Sequence, residues 1–166
     1  MKLSGRVWRY GANVDTDVIM PGRYCHLTDP NELKKHVMED IDPAFAREVK
    51  PGDIIVADNN FGCGSSREVA PAGFKYAGVS CVIAVSFARI FFRNCINIGL
   101  PIVESPEFAA HCARGDAIEV DLDAGTLVNT TNGFRAKAHP YPPEIRAIID
   151  AGGLMAYIKK TKLAVK

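Results

Sequence analysis

The sequence predicts an α/β domain, a small parallel sheet with flanking helices and added β elements. Three observations carry this. Short apolar runs at Asp53–Asp58, Ser80–Ser86 and Leu100–Glu104 have the length and the flanking turns of buried strands. Two helical patterns, Arg67–Tyr76 and Phe87–Ile98, alternate with them, and a β-α-β-α-β order favours parallel pairing through crossover helices. From Asp116 to Asn129, apolar and polar residues alternate on either side of Ala124-Gly125, the pattern of a hairpin.

Taken in order, Lys2–Arg9 reads as a first strand and Gly11–Asp17 as a turn-rich stretch. Pro21–Pro43 mixes polar and turn residues around a short helix at Asn31–Glu39, started by Pro30 and Asn31. About residues 20–45 therefore read as a surface excursion. Pro51-Gly52 and Asn59-Asn60 bracket the next strand, and Gly78 and Gly99 stand where the two following helices end. Ser105 is placed to cap a helix over Pro106–Ala113, with Pro106 in its first turn and Glu107 close behind. Tyr141-Pro142-Pro143 leads into a last helix over 143–159, interrupted near Gly152-Gly153. No internal repeat is seen, and residues 1–166 read as one domain.

Composition narrows the function classes. Hydrophobic residues make up 48% and charged residues 23%, an ordinary balance in a chain long enough to bury a core without staples. A net charge of +1 gives no footprint for nucleic acid, while a local arginine can still bind a carboxylate. The most apolar run, Val82–Val85, is too short to cross a bilayer, and Met1–Arg6 lacks the apolar core of a signal peptide. The expected setting is cytoplasmic, without membrane contact. The five cysteines, Cys25, Cys63, Cys81, Cys95 and Cys112, are odd in number and widely spaced, with no C-x-x-C pair. They read as reduced, mostly buried thiols, with no metal or cluster held by this chain.

Three segments could carry chemistry. Gly62-Cys63-Gly64-Ser65-Ser66-Arg67-Glu68 lies between a strand and a helix, where ligands of open α/β sheets bind. Glycines admit close backbone approach, free amides suit an anion, the serines add hydroxyls, and Arg67 adds a carboxylate fork. A phosphate loop would need a Lys here, and a dinucleotide fingerprint would need Gly where Glu68 stands. A serine hydrolase would need a positioned base, and nothing ties His26, His36, His111 or His139 to Ser65 or Ser66. The ordinary alternative for this loop is a capped helix start with Arg67 in solvent. Asn13-Val14-Asp15-Thr16-Asp17 reads as Asx turns or as polar support for an arginine or serine. Ser86-Phe87-Ala88-Arg89-Ile90, followed by Asn94 and Gly99-Leu100-Pro101, is mostly core, with Arg89 and Asn94 as its polar candidates.

These three segments, in this order and over nearly the whole chain, resemble the small subunit of isopropylmalate dehydratases and homoaconitases, which is similar to the C-terminal swivelling domain of aconitase. The resemblance implies a swivelling β/β/α domain. It also implies a large-subunit partner, in a heterodimer or heterotetramer, that carries a [4Fe–4S] cluster with an open iron site acting as a Lewis acid. The implied reaction removes water from a small hydroxy-dicarboxylate and re-adds it at the neighbouring carbon. In that family Ser65 matches the catalytic base, and the turn amides and nearby helix N-terminus would stabilise its alkoxide as an oxyanion hole does. Ser66, Arg67 and Gly64 match the substrate-binding positions, and Asp15, Thr16, Asp17 and Asn94 match positions that support the site.

The segment Gly22-Arg23-Tyr24-Cys25-His26-Leu27-Thr28 matches a loop that reads the substrate's variable group, with Arg23 and His26 as its polar contacts. Homoaconitase-type chains often carry an Arg shortly after the Tyr. Cys25-His26-Leu27 stands there instead, which favours an apolar group such as isopropyl. The substrates in question are 3-isopropylmalate first, then those of homoaconitase or of a 2,3-dimethylmalate-type dehydratase. Two readings from other classes are a non-catalytic carboxylate-binding protein and a free-standing hydrolase using Ser65.

Overall fold

The apolar runs become strands of one sheet in a computed structural model that describes residues 1–164. The strands are β1 (Lys2–Arg9), β2 (Ile54–Ala57), β3 (Cys81–Ala84), β4 (Ile102–Glu104), β5 (Ala117–Asp121), β6 (Thr126–Asn129) and β7 (Arg135–Lys137). Their spatial order is β4-β3-β2-β1-β5-β6-β7. Strands β1 to β4 run parallel, with Val7 beside Ile54 and Ile54 beside Cys81. β5, β6 and β7 continue the same sheet in antiparallel fashion. Two parts of β1 serve these two neighbours: Lys2–Arg6 pair with β5, and Val7–Arg9 pair with β2. The expected hairpin is thus β5–β6, welded to the parallel core through β1 rather than appended to it.

The helices are α1 (Thr16–Ile19), α2 (Pro30–Leu33), α3 (Phe45–Glu48), α4 (Val69–Tyr76), α5 (Arg89–Ile98), α6 (Pro106–Ala110), α7 (Pro143–Asp150) and α8 (Leu154–Ala164). Two apolar cores flank the sheet. Ile55, Ala57, Val82 and Ala84 pack with Phe61, Phe74 and Phe91 on one face. Ile54, Val56, Cys81 and Ile83 pack with Phe108, Val120 and Leu127 on the other. Burial on both faces is why β2 and β3 are apolar at every position rather than at alternate ones. Each fully buried side chain such as Phe74 contributes about 1.5–3 kcal/mol through its apolar surface.

Several elements differ from the sequence reading. The helix expected over Asn31–Glu39 is only α2, capped by Asp29, whose carboxylate accepts the Asn31 N–H at 2.9 Å. Beyond it the chain turns through Met38, at φ +62, so that Val37 and Met38 are fully buried. Their burial outweighs continued helix. Ser105 makes no side-chain cap and is itself buried, and its helix stops at Ala110. The last helix, by contrast, is interrupted at Gly152-Gly153 as expected, which divides it into α7 and α8. There the backbone meets the end of α5 so closely that a Cβ on Gly99 would stand 2.5 Å from the Gly152 carbonyl carbon. α1, α3 and β7 were not foreseen. Residues 165 and 166, counted in the expected single domain, lie outside the described residues.

The edge strand β4 is covered by Tyr141. Its hydroxyl accepts the Ile102 N–H at 2.7 Å and donates to the Ile102 carbonyl. This satisfies a strand edge that would otherwise invite pairing with another chain. At the other end of the parallel strands, the segments after β1, β2 and β3 converge, and these hold the three motifs.

Candidate active site

The loop after β1 is locked to the loop after β2 by backbone pairing. Gly62 N–H donates to the Val14 carbonyl at 2.8 Å, and Thr16 N–H donates to the Cys63 carbonyl at 2.8 Å. Asp15 caps α1, its carboxylate accepting the Asp17 N–H at 2.7 Å. Thr16 is buried, and its hydroxyl donates to the Ser65 carbonyl at 2.9 Å, with the Ser65 hydroxyl 3.4 Å away. The loop after β3 joins from the other side, where Phe61 N–H donates to the Ser86 carbonyl and Ala88 N–H to the Phe61 carbonyl, both at 3.0 Å.

Two glycines are required for this fit. Gly62 sits at φ +77, and a Cβ there would fall 2.1 Å from the Phe91 ring. Gly64 sits at φ +88, and a Cβ there would fall 2.3 Å from the Asp15 carboxylate. Both conformations strain any residue with a side chain.

Arg67 is ion-paired with Asp17 and donates to the Met20 carbonyl at 3.3 Å. Its guanidinium also lies against Gly22, where a Cβ would stand 3.3 Å from both terminal nitrogens. It keeps 26% side-chain exposure, so it is held and still reachable. Gly64, Ser65 and Ser66 are exposed. Among the described residues, no protein acceptor meets the amides of Gly64, Ser65 or Ser66. The loop is therefore a rim of free donors beside one anchored arginine, a geometry suited to a carboxylate and to charge developing on an oxygen. α4 begins at Val69, later than expected, so the turn amides lie nearer to Ser65 than its first turn does.

The remaining candidates lie around this centre. Asn94 is 8% exposed on α5, and no described side-chain hydrogen bond links it to the motif loop. Arg89 is exposed at the start of the same helix. His26 is exposed on the turn after a short 3-10 helix over Gly22–Tyr24. Arg23 is occupied by Glu39 and Asp40. Sequence reasoning missed those two acids, and also Gly22 as the surface on which Arg67 rests. No local pattern marks them, because each meets its partner only after the excursion folds back.

The cysteines do not suit an iron–sulfur cluster. Burial, with the Asp15 carboxylate beside it, raises the Cys63 thiol. Burial pushes Cys81 up to about 12 and Cys112 up to about 11, and holds Cys95 well above the ordinary thiol range. Among the described residues, no group of three His, Cys, Asp or Glu side chains gathers to hold a metal. Cluster ligands are thiolates brought together, and the described residues gather no such group of three. No described helix is long and apolar enough to cross a membrane.

Residues 11–107, which span all three motifs, match the family model of the aconitase C-terminal domain. The chain is 60% identical over 167 residues to the 3-isopropylmalate dehydratase small subunit of Aquifex aeolicus, covering 100% of this chain and 99% of that one. It is 56% identical over 162 residues to the 2,3-dimethylmalate dehydratase small subunit of Eubacterium barkeri, covering 98% and 99%. A crystal structure of 3-isopropylmalate dehydratase from Methanocaldococcus jannaschii matches the fold with a TM-score of 0.91 at 48% identity, covering 99% of this chain and 97% of that one. The chain belongs to the aconitase C-terminal domain family, in its branch of hydro-lyase small subunits.

Proposed function

We propose that the chain is the small subunit of a dehydratase that interconverts 2-isopropylmalate and 3-isopropylmalate by removing and re-adding water, a step of leucine biosynthesis in the cytoplasm. One observation carries the reading: Ser65 stands exposed on a loop whose carbonyl is tied to Thr16, next to an Arg67 anchored by Asp17. Arg67 and Ser66 take a substrate carboxylate, and Gly64 lets it approach the backbone. Ser65, as its alkoxide, takes the proton from the carbon beside that carboxylate and becomes a neutral hydroxyl, and the free amides of the loop favour the negative charge that its oxygen carries before the transfer. Asp15, Thr16 and Asp17 hold this arrangement. Asn94, buried on the helix whose Phe91 closes over Gly62, supports it from behind.

The open face of the site supports a partner. A large subunit covers the loop, and the departing hydroxyl is its task. The [4Fe–4S] cluster of the family is assigned to that subunit, since the thiols here do not suit one. The two chains form a heterodimer or heterotetramer. Tyr24-Cys25-His26-Leu27 meets the substrate's isopropyl group, with His26 as its polar contact. A second reading, a 2,3-dimethylmalate substrate, is favoured by a relative only four percentage points less identical than the first (60 − 56).

Co-expression with the candidate large subunit, anaerobic cluster reconstitution and the absorbance of the unsaturated product test this. Activity on 3-isopropylmalate that needs both chains and collapses in Ser65→Ala is the expected result. Turnover of 2,3-dimethylmalate alone would replace the substrate. Saturable carboxylate binding by the isolated chain, with no turnover by the pair, would overturn the enzyme reading in favour of a binding protein.

A further inference from the structure

The segment after α1 is held at a second place, away from the motif. Arg23 Nη2 donates to Glu39 Oε1 at 2.5 Å and to Asp40 Oδ1 at 2.6 Å, and Nη1 donates to Asp40 Oδ2 at 3.1 Å. The Arg23 guanidinium carbon also lies 4.8 Å from the centre of the Tyr24 ring. That ring stacks on His36 at 3.7 Å with an interplanar angle of 11°. His36 Nδ1 lies 2.7 Å from Glu39 Oε2. Four side chains, Arg23, Tyr24, His36 and Glu39, thus close a ring, with Asp40 joined to it through Arg23, and tie Gly22–Tyr24 to residues 36–40. A lone exposed ion pair fixes little, but a bidentate fork combined with a ring stack fixes both position and orientation. The charges agree with this: hydrogen bonding from Arg23 holds the Asp40 carboxyl below its ordinary range.

An arginine whose fork is filled by two carboxylates has no open pair of donors for a substrate carboxylate. The shape of the contact points elsewhere. The Tyr24 ring is in contact with both the guanidinium and the imidazole, and Cys25-His26-Leu27 follows it directly. We infer that Arg23 is a positioning residue rather than a substrate ligand. With Glu39, Asp40 and His36 it sets Tyr24, and through Tyr24 it aims Cys25-His26-Leu27 at the substrate's variable group. Residues 36–40, outside every motif, thereby help determine specificity. The inference rests on the reading of that loop given under the proposed function.

The test compares Arg23→Ala, the double variant Glu39→Gln with Asp40→Asn, and all three changes together in the reconstituted two-subunit enzyme. Each protein is assayed with 3-isopropylmalate and with 2,3-dimethylmalate. Each of the first two proteins should lose roughly tenfold in kcat/KM on 3-isopropylmalate, chiefly through KM, and shift the ratio between the substrates the same way. The combination should be no worse than either. Reversing the pair, Arg23→Glu with Asp40→Arg, should recover part of the loss. A substrate ligand behaves otherwise: removing the two carboxylates would leave 3-isopropylmalate turnover unchanged or improve it, and the reversed pair would not recover. Either result, or fully additive losses, overturns the inference.

Amide hydrogen exchange over 22–28 in the isolated full-length chain gives a readout free of activity. Both partial variants should lose protection there to the same degree, and unchanged exchange would also overturn the inference. If the wild-type pair turns over neither acid, the proposed function fails, and exchange still decides whether this ring of side chains holds the loop.

Discussion

Asp53 and Arg67 lie on either side of strand β2, and their surroundings are opposite in kind. Before the strand, Asp53 is 4% exposed and accepts from the Trp8 indole at 2.8 Å and the Lys50 N–H at 3.0 Å, with Arg6 at 3.5 Å. One oxygen of that carboxylate, Oδ2, takes all three of these donors from the same chain. After the strand, Arg67 is partly satisfied, Ser65 is exposed, and the amides of Gly64–Ser66 await an acceptor. A polar group surrounded by its own chain holds the fold together. A polar group left open in a strained glycine loop weakens the fold slightly and is available to a ligand.

Four substitutions or conditions probe this contrast. The largest effect belongs to Ser65→Ala. Loss of the base should cost about 10²- to 10⁴-fold in kcat of the reconstituted enzyme, while the melting curve of the isolated chain stays almost unchanged because the side chain is exposed. A large drop in stability would mean that the two ends are not distinct. Asp53→Ala should show the converse. It leaves the buried Trp8 indole and the Lys50 amide without their acceptor, at a cost of roughly 2–4 kcal/mol in urea unfolding, with kcat unaltered in protein that remains folded.

Arg67→Lys is smaller. A lysine can keep the charge pairing with Asp17 but not the fork, so KM should rise about tenfold with kcat little changed. The smallest effect is alkaline. The raised folded-state values of about 12 for Cys81 and about 11 for Cys112 stabilise the protonated thiols. That stability is fully present below the unfolded thiol pKa of about 8.5 and declines as pH rises toward the folded values. Denaturant midpoints from pH 7 to 10 should therefore hold level and then fall. At Cys63, where the thiol is also raised, alkylation should be slow at neutral pH and still be accelerating above pH 9.

How much of this was legible in the chain differs element by element. β2 to β4 and the helices between them were readable because each buries a run of neighbours, and a run is visible in a short window. The motif's place at the end of a strand was readable for the same reason, and with it Ser65 and Arg67. The length of α2 was misread because Val37 and Met38 follow the packing of their surroundings rather than local propensity. Ser105 was misread as a cap because its burial shows only in three dimensions.

The sequence by itself determined the α/β order, the glycine-serine loop with its arginine, and the membership that those motifs imply. These are matters of residue type at short spacing. Only the tertiary structure decided that β1 divides its length between two neighbours, that Thr16 reaches Ser65 across 49 positions, and that Arg23 is taken by Glu39 and Asp40. The physical reason is range. A hydrogen bond or an ion pair acts over a few ångströms, and which distant residues come that close is settled by the packing of the whole chain, not by any segment of it.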